Sequence, residues 1–304
     1  MASLSPRAPM RGAAIPILVA AIGIATFSCM DAVMKGLSIA IGAYNAMLWR
    51  SIAGAAMSGM LMLVMRVPWP SRSGLLLHVK RSGSAGISVL LFFWGLVHVP
   101  MAEGVALTFL SPVIALILAA PMLGERIGRS AIVASVLAVA GVIVIVLGKA
   151  HEGAGPEAIH GALAIVLASF FYAYNIVLLR KSALVAGPIE ITFFMNLVFA
   201  CLYLPAAPVA AVVPPLHQAP VFIGAAALAI VSSLLLAWAY RRAEAQLLVS
   251  VEYTAFVWAA ILGAIVFGEK VLPVTIAGAL LIVAGCFIAA RGHATPGPST
   301  EAAS

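Results

Sequence analysis

The stretch Ala243–Lys270, AEAQLLVSVEYTAFVWAAILGAIVFGEK, has an earlier counterpart at Ala102–Arg126, AEGVALTFLSPVIALILAAPMLGER. Both open on Ala-Glu and close on Gly-Glu followed by a basic residue. A shift of 144 residues lays Gly124-Glu125 on Gly268-Glu269, and Val113, Ala115, Ile117, Leu118 and Ala120 on Val257, Ala259, Ile261, Leu262 and Ala264. The same shift carries Ile132 onto Ile276 and Val139-Ala140-Gly141 onto Val283-Ala284-Gly285. At least eleven of the 29 positions from 113 to 141 are therefore identical, where so apolar a composition gives roughly three by chance. Glu103 and Glu244 align only at a shift of 141, so the second copy has gained three residues between its ends. The chain is an internal duplication.

Its solvent is lipid. The 304 residues are 64% hydrophobic and 9% charged, against about 25% charged in a soluble domain. Ten apolar runs near membrane-spanning length follow one another: Ile15–Gly36, Ala43–Met65, Gly83–Val99, Met101–Leu123, Ala131–Leu147, Ile159–Leu179, Pro188–Pro205, Val221–Tyr240, Gln246–Phe267 and Val271–Ala290. The first is too long for a cleaved signal segment and reads as a retained helix. The expected fold is an all-α membrane protein of ten transmembrane helices.

Lys and Arg orient it. With the N-terminus in the cytoplasm, thirteen basic residues fall in inner segments (Arg7, Arg11, Arg66, Arg72, Lys80, Arg81, Arg126, Arg129, Arg180, Lys181, Arg241, Arg242, Arg291). Only Lys149 and Lys270 fall in outer loops, and Lys35 and Arg50 lie inside helices. Both termini are expected in the cytoplasm of a bacterial inner-membrane protein. The net charge of +7 thus reflects topology, and no nucleic acid is expected as partner. Cys29, Cys201 and Cys286 lie far apart in apolar runs, with neither disulfide nor zinc spacing, so no metal and no cofactor is expected.

Five runs per half is an odd number, so the second copy is inverted relative to the first. Residues 1–148 form the first repeat, 149–158 a periplasmic linker, 159–291 the second repeat, and 292–304 a disordered cytoplasmic tail. Inverted repeats place a substrate site between the halves, near the midplane, and rocking about it gives alternating access.

Polar residues inside the runs are the candidate site. A charge at membrane depth costs about 2.5–3.5 kcal/mol on insertion scales and marks a path or a partner. Asp31 and Lys35 are spaced i, i+4 and can pair with each other; Lys35 can also extend to the outer surface. Arg50, in the second run with Tyr44, Asn45 and Trp49, is a fork-shaped cation that can clamp a carboxylate or close a network with Asp31. The third run offers Trp94, the sixth Tyr172 and Asn175, and the seventh Asn196. The ninth adds Glu252, a second protonatable carboxylate, with Tyr253 and Trp258. The candidate substrate-binding set is Asp31, Lys35, Tyr44, Trp49, Arg50, Trp94, Tyr172, Asn175, Asn196, Glu252, Tyr253 and Trp258. Ser111-Pro112 breaks the fourth run. The fifth and tenth runs are nearly bare of polar residues and belong on the outside.

The doubled Gly-Glu ends, MDAVMKGL (Met30–Leu37), LWR (Leu48–Arg50) and VEYTAFVWAAILGAIVFGE (Val251–Glu269) resemble the drug/metabolite transporter superfamily, in its EamA-type branch. The resemblance spans about residues 15–290. It implies two inverted five-helix repeats around a central cavity, and a carrier that moves small metabolites, commonly outward. The Glu-Tyr-Thr at 252–254, where many members have Glu-Pro, is similar to a subset that includes S-adenosylmethionine carriers and some amino-acid exporters.

The expected function is a secondary transporter exporting a small polar or amphiphilic metabolite, an amino acid or derivative. Asp31 or Glu252 would meet an amine, Arg50 a carboxylate, and the aromatic residues would form a cage. S-adenosylmethionine, nucleotide-like metabolites and cationic drugs are the alternative cargoes. Proton coupling and a homodimer stay open. A membrane-embedded enzyme is the remote alternative, because its chemistry wants clustered carboxylates or a nucleophile beside a base; the intramembrane acids here are single and far apart.

Overall fold

The computed structural model describes residues 14–123, 129–151, 155–183, 185–242, 248 and 251–292. Among these, every regular element is helical. The first half contributes α1 (Ala14–Ile41), α2 (Ala43–Val64), α3 (Arg72–His98), α4 (Met101–Thr108), α5 (Leu110–Leu123) and α6 (Arg129–His151). The second contributes α7 (Pro156–Ala183), α8 (Pro188–Tyr203), the short α9 (Ala207–Ala210), α10 (Ala219–Tyr240), α11 (Thr254–Phe267) and α12 (Pro273–Gly292). Seven helical segments are long and apolar enough to cross a membrane, and three shorter ones, Ile132–Gly148, Thr254–Phe267 and Pro273–Ile288, are also apolar. Glu125, Glu244 and the tail beyond Gly292 lie outside the described residues, as does the middle of the linker.

The halves are related by an approximate two-fold. α3 packs on α7 as α10 packs on α1, while α2 packs on α8 and α6 on α12. Exchanging the halves maps this set of pairs onto itself. Atomic contacts repeat the relation. The Ser88 hydroxyl donates to the Ala168 carbonyl at 2.7 Å, and Ser232, 144 residues on, donates to the Gly23 carbonyl at 2.8 Å. Between α6 and α12, a Cβ at Gly141 would lie 2.6 Å from the Gly278 carbonyl, and one at Gly285 2.7 Å from the Ala134 carbonyl. Position rises along α6 as it falls along α12, so these equivalent helices run antiparallel. The second half is inverted, and the small residues let the backbones touch without side chains between them.

The fourth and ninth runs are both interrupted, at equivalent places. α4 ends at Phe109, and the second copy has its turn at Tyr253, which is 109 shifted by 144. Thr108 donates to the Val105 carbonyl and Thr254 to the Val251 carbonyl, at 2.7 and 2.6 Å. The Phe109 and Tyr253 rings meet edge to face, 5.2 Å apart, so the two breaks touch each other. The break therefore lies before Ser111-Pro112, and its second copy forms without a proline.

One boundary moves by more than two turns. The third run was expected from Gly83, but α3 starts at Arg72, with Ser71 capping it by accepting from the Gly74 N–H at 3.2 Å. Lys80 and Arg81, counted above among inner-segment charges, are helical, and Arg81 is only 2% exposed. A polar stripe at helical spacing, His78, Arg81, Ser82 and Ser88, is buried along α3 with the apolar positions between.

The close contacts give a test. Gly141→Val must push apart α6 and α12, an overpacking cost of about 1–3 kcal/mol, whereas Gly36 has nothing within 4 Å of an added Cβ. In detergent, thermal unfolding of Gly141→Val is expected several degrees below wild type. Gly36→Ala should match wild type or exceed it, and equal melting of both variants would refute this packing.

Candidate functional site

The charged groups within the bundle sort into those that have found a partner and those that have not. Lys35, 3% exposed near the end of α1, pairs with Glu269 just beyond α11 and donates to the Val99 carbonyl at 2.7 Å. Glu269 also accepts from the Met101 N–H at 2.6 Å. One ion pair thus ties together the ends of α1, α3 and α11 and the start of α4. Gly268, at φ 66°, makes the left-handed turn that brings Glu269 back over α11. The expected Asp31–Lys35 pairing gives way to this contact, and the Lys35 side chain is buried instead of reaching the surface.

A second pair lies near the other end of α3. His78 Nε2 and Glu190 Oε1 are 3.0 Å apart, and the His78 ring stacks on Phe194 at 4.8 Å. Trp69 meets Phe194 edge to face at 5.1 Å. This cluster joins α3 to the first turns of α8.

A third group comprises Asp31, Arg50 and Arg81 on the first half and Glu252 on the second. Asp31 on α1 makes no hydrogen bond or ion pair among the described residues, and the charge that acts on it is Arg50 on α2. Arg50 is 4% exposed, makes no hydrogen bond among the described residues, and has Tyr203 and Asp31 as its electrostatic neighbours. Arg81 on α3 donates to the Asn175 side chain at 3.3 Å, and to the Ser82 hydroxyl and the Ile191 carbonyl at 3.2 Å each. Its Nε is buried without a partner. No carboxylate lies within ion-pair distance of either guanidinium among the described residues.

Tyr172 on α7 links these groups. Its electrostatic neighbours are Glu252, Arg81 and Asp31. Glu252, directly before the break at Tyr253, accepts a hydrogen bond from the Tyr240 hydroxyl at the end of α10. Hydrogen bonds thus join Arg81 to Asn175 and Tyr240 to Glu252, and Asp31 lies within electrostatic reach of both Arg50 and Tyr172; Arg81, Tyr203 and Tyr240 were not among the expected residues. The stripe on α3 was the signal for Arg81; hydropathy treats a charge as the end of a helix and conceals it.

The other candidates are placed elsewhere. Tyr44 donates to the Tyr203 carbonyl at 2.7 Å, and Trp49 Nε1 to the Val212 carbonyl at 2.9 Å. Both fasten α2 to the connection after α8, as does Asn45, which accepts from the Val212 N–H at 2.8 Å. Trp94 is 44% exposed and packs on His98 near the end of α3. Asn196 donates to the Thr192 carbonyl at 2.9 Å and fills the space over Gly54. Tyr253 packs between Phe109 and Phe287, and Trp258 is 36% exposed on α11. Two surface grooves, one along α6 at residues 135–143 and one between α1, α10 and α11, are lined by no charged residue and lie apart from this cluster.

Comparison with known proteins adds a family. The model of the EamA-like transporter family matches residues 14–147 and again 159–291. The chain is 26% identical over 276 residues to the pseudopaline exporter CntI of Pseudomonas aeruginosa strain UCBPP-PA14, covering 90% of this chain and 95% of that protein. The same figures hold for the pseudopaline exporter CntI of strain PAO1. A solved structure described as "Crystal structure of protein" superposes with a TM-score of 0.61 at 20% identity. It covers 94% of this chain and all of that one, a likeness of fold.

The Lys35–Glu269 pair predicts a specific pattern of stability. Removing one member of a buried ion pair strands the other and costs about 3–5 kcal/mol, while an apolar replacement of both is close to neutral. Lys35→Met and Glu269→Met are each expected to lower the unfolding midpoint in detergent, and the double variant to recover most of the loss. Additive losses would show that the two side chains do not act as a pair.

Proposed function

The chain belongs to the EamA-like transporter family of the drug/metabolite transporter superfamily, and from that premise we propose that it exports a small zwitterionic metabolite of the amino-acid class. The observation that carries this reading is the set of buried charges of both signs that do not pair with each other. Asp31 and Glu252 present negative charge, Arg50 a fork of donors, and Tyr172 lies between them. A molecule with an ammonium and a carboxylate supplies the partners that the protein withholds. Burying an unpaired charge costs free energy that a folding role alone does not return.

The carrier works by alternating access. Ten crossings, with both termini in the cytoplasm of a bacterial inner membrane, set two inverted halves around this cluster, and their rocking exposes it to each side in turn. The outward direction rests on the relatives, which are exporters of pseudopaline. A proton exchanged for the substrate amine at Asp31 or Glu252 would couple transport to a pH gradient.

In liposomes loaded with a radiolabelled amino-acid mixture, purified protein is expected to give saturable efflux that responds to a pH gradient. Asp31→Asn, Arg50→Gln and Glu252→Gln should each reduce it by at least about tenfold, the loss of one charged hydrogen bond at roughly 1.5–3 kcal/mol. Arg50→Gln should at the same time melt no lower than wild type, since it removes an uncompensated charge. Wild-type efflux in the variants, or a collapse of folding in Arg50→Gln, would assign these charges a structural role instead.

A further inference from the structure

Two guanidinium groups stand inside the bundle with no carboxylate within ion-pair distance among the described residues, and they stand at different depths. α2 and α3 are joined by residues 65–71 and lie side by side. Arg50 is fourteen residues from the α2 end of that connection and Arg81 nine residues from the α3 end. At 1.5 Å per residue they lie about 21 Å and about 14 Å from it, so about 7 Å apart in depth. Each has an acid within electrostatic reach: Asp31 acts on Arg50 directly, and Glu252 shares Tyr172 as neighbour with Arg81. The Nε of each arginine is buried and unpartnered.

A simple α-amino acid has one carboxylate, and it can serve Arg50 while Arg81 keeps only neutral partners. A bidentate contact needs a planar anion at each guanidinium. From this arrangement we propose that the cargo is an aminopolycarboxylate, carrying at least two carboxylates farther apart than those of glutamate, by about 7 Å or more, with an amine between or beside them. One carboxylate engages Arg50 and the other Arg81, the amine meets Asp31 or Glu252, and Tyr172 borders the middle of the molecule. The assignment rests on the carrier reading above and narrows its substrate to molecules that span both levels.

The test uses three radiolabelled probes on the full-length protein in detergent, with counterflow in liposomes run in parallel. Leucine has one carboxylate. Glutamate has two, but close together. Saccharopine, N-(1,3-dicarboxypropyl)lysine, has three carboxylates over a longer reach and the same net charge as glutamate, so the last two separate reach from charge. Saccharopine is expected to bind at least tenfold more tightly than leucine or glutamate. Arg81→Gln should remove that advantage and bring saccharopine to the level of leucine, whereas Arg50→Gln should weaken both.

Equal binding of leucine and saccharopine by the wild type would overturn the proposal, and so would an Arg81→Gln variant that keeps the preference. The wild-type comparison decides even if Arg81→Gln does not fold. Counterflow of leucine with no binding of saccharopine would overturn the aminopolycarboxylate and leave the carrier standing. Tight saccharopine binding without counterflow of any probe would uphold the ligand class and overturn the carrier.

Discussion

Where α6 and α12 cross, no side chain separates their backbones, and much of the architecture depends on that kind of approach. A bilayer offers no hydrophobic drive between helices, because lipid tails are as apolar as leucine. What remains is close packing and the few hydrogen bonds that reach between helices. Gly141 against Gly278, Gly285 against Ala134, and Gly95 against Gly161 supply the first. Ser88 to Ala168 and Ser232 to Gly23 supply the second, each worth about 0.6 kcal/mol by the membrane average. Because the α6–α12 contacts and the serine hydrogen bonds occur in equivalent pairs, a duplicated sequence obtains two of each from one solution. The Phe109–Tyr253 contact then brings the two breaks face to face.

That scaffold determines where charge can be tolerated. Near helix ends the charged side chains have partners: Lys35 pairs with Glu269, and Glu190 lies within hydrogen-bond distance of the His78 ring. Deeper in, Arg50 and Arg81 have no acid within ion-pair distance among the described residues, and Asp31 has no base there. Each costs about 2.5–3.5 kcal/mol on insertion scales. The paired groups hold helix ends together, whereas the deeper ones carry their cost without an ion pair in return, which is why the proposed transport reading rests on them.

The duplication was legible because it needs only sequence identity at a fixed shift, and the inversion followed from an odd number of runs. The helix breaks were half legible. Ser111-Pro112 drew attention to the first, but Ala255-Phe256 fills the equivalent place in the second, so a proline-based reading misses the turn at Tyr253. The start of α3 was illegible to hydropathy, since His78, Lys80 and Arg81 look like a cytoplasmic end until Glu190, Asn175 and Ile191 are found beside His78 and Arg81. Tyr44 and Trp49 looked like walls of a cage and instead hold a loop, because their partners are backbone carbonyls that no sequence pattern announces.

Symmetry also separates what was duplicated from what was not. At the shift of 144 that pairs Ser88 with Ser232 and Phe109 with Tyr253, Arg81 falls on Ala225 and Glu252 on Thr108. Neither charge has a copy. The framework elements are two-fold and the charged elements are not, so the halves exchange roles as scaffolds while the cluster stays chemically lopsided. Asp31 falls on Asn175 at the same shift and Arg50 on Phe194, so the duplicated sequence kept its packing surfaces while the charged positions diverged.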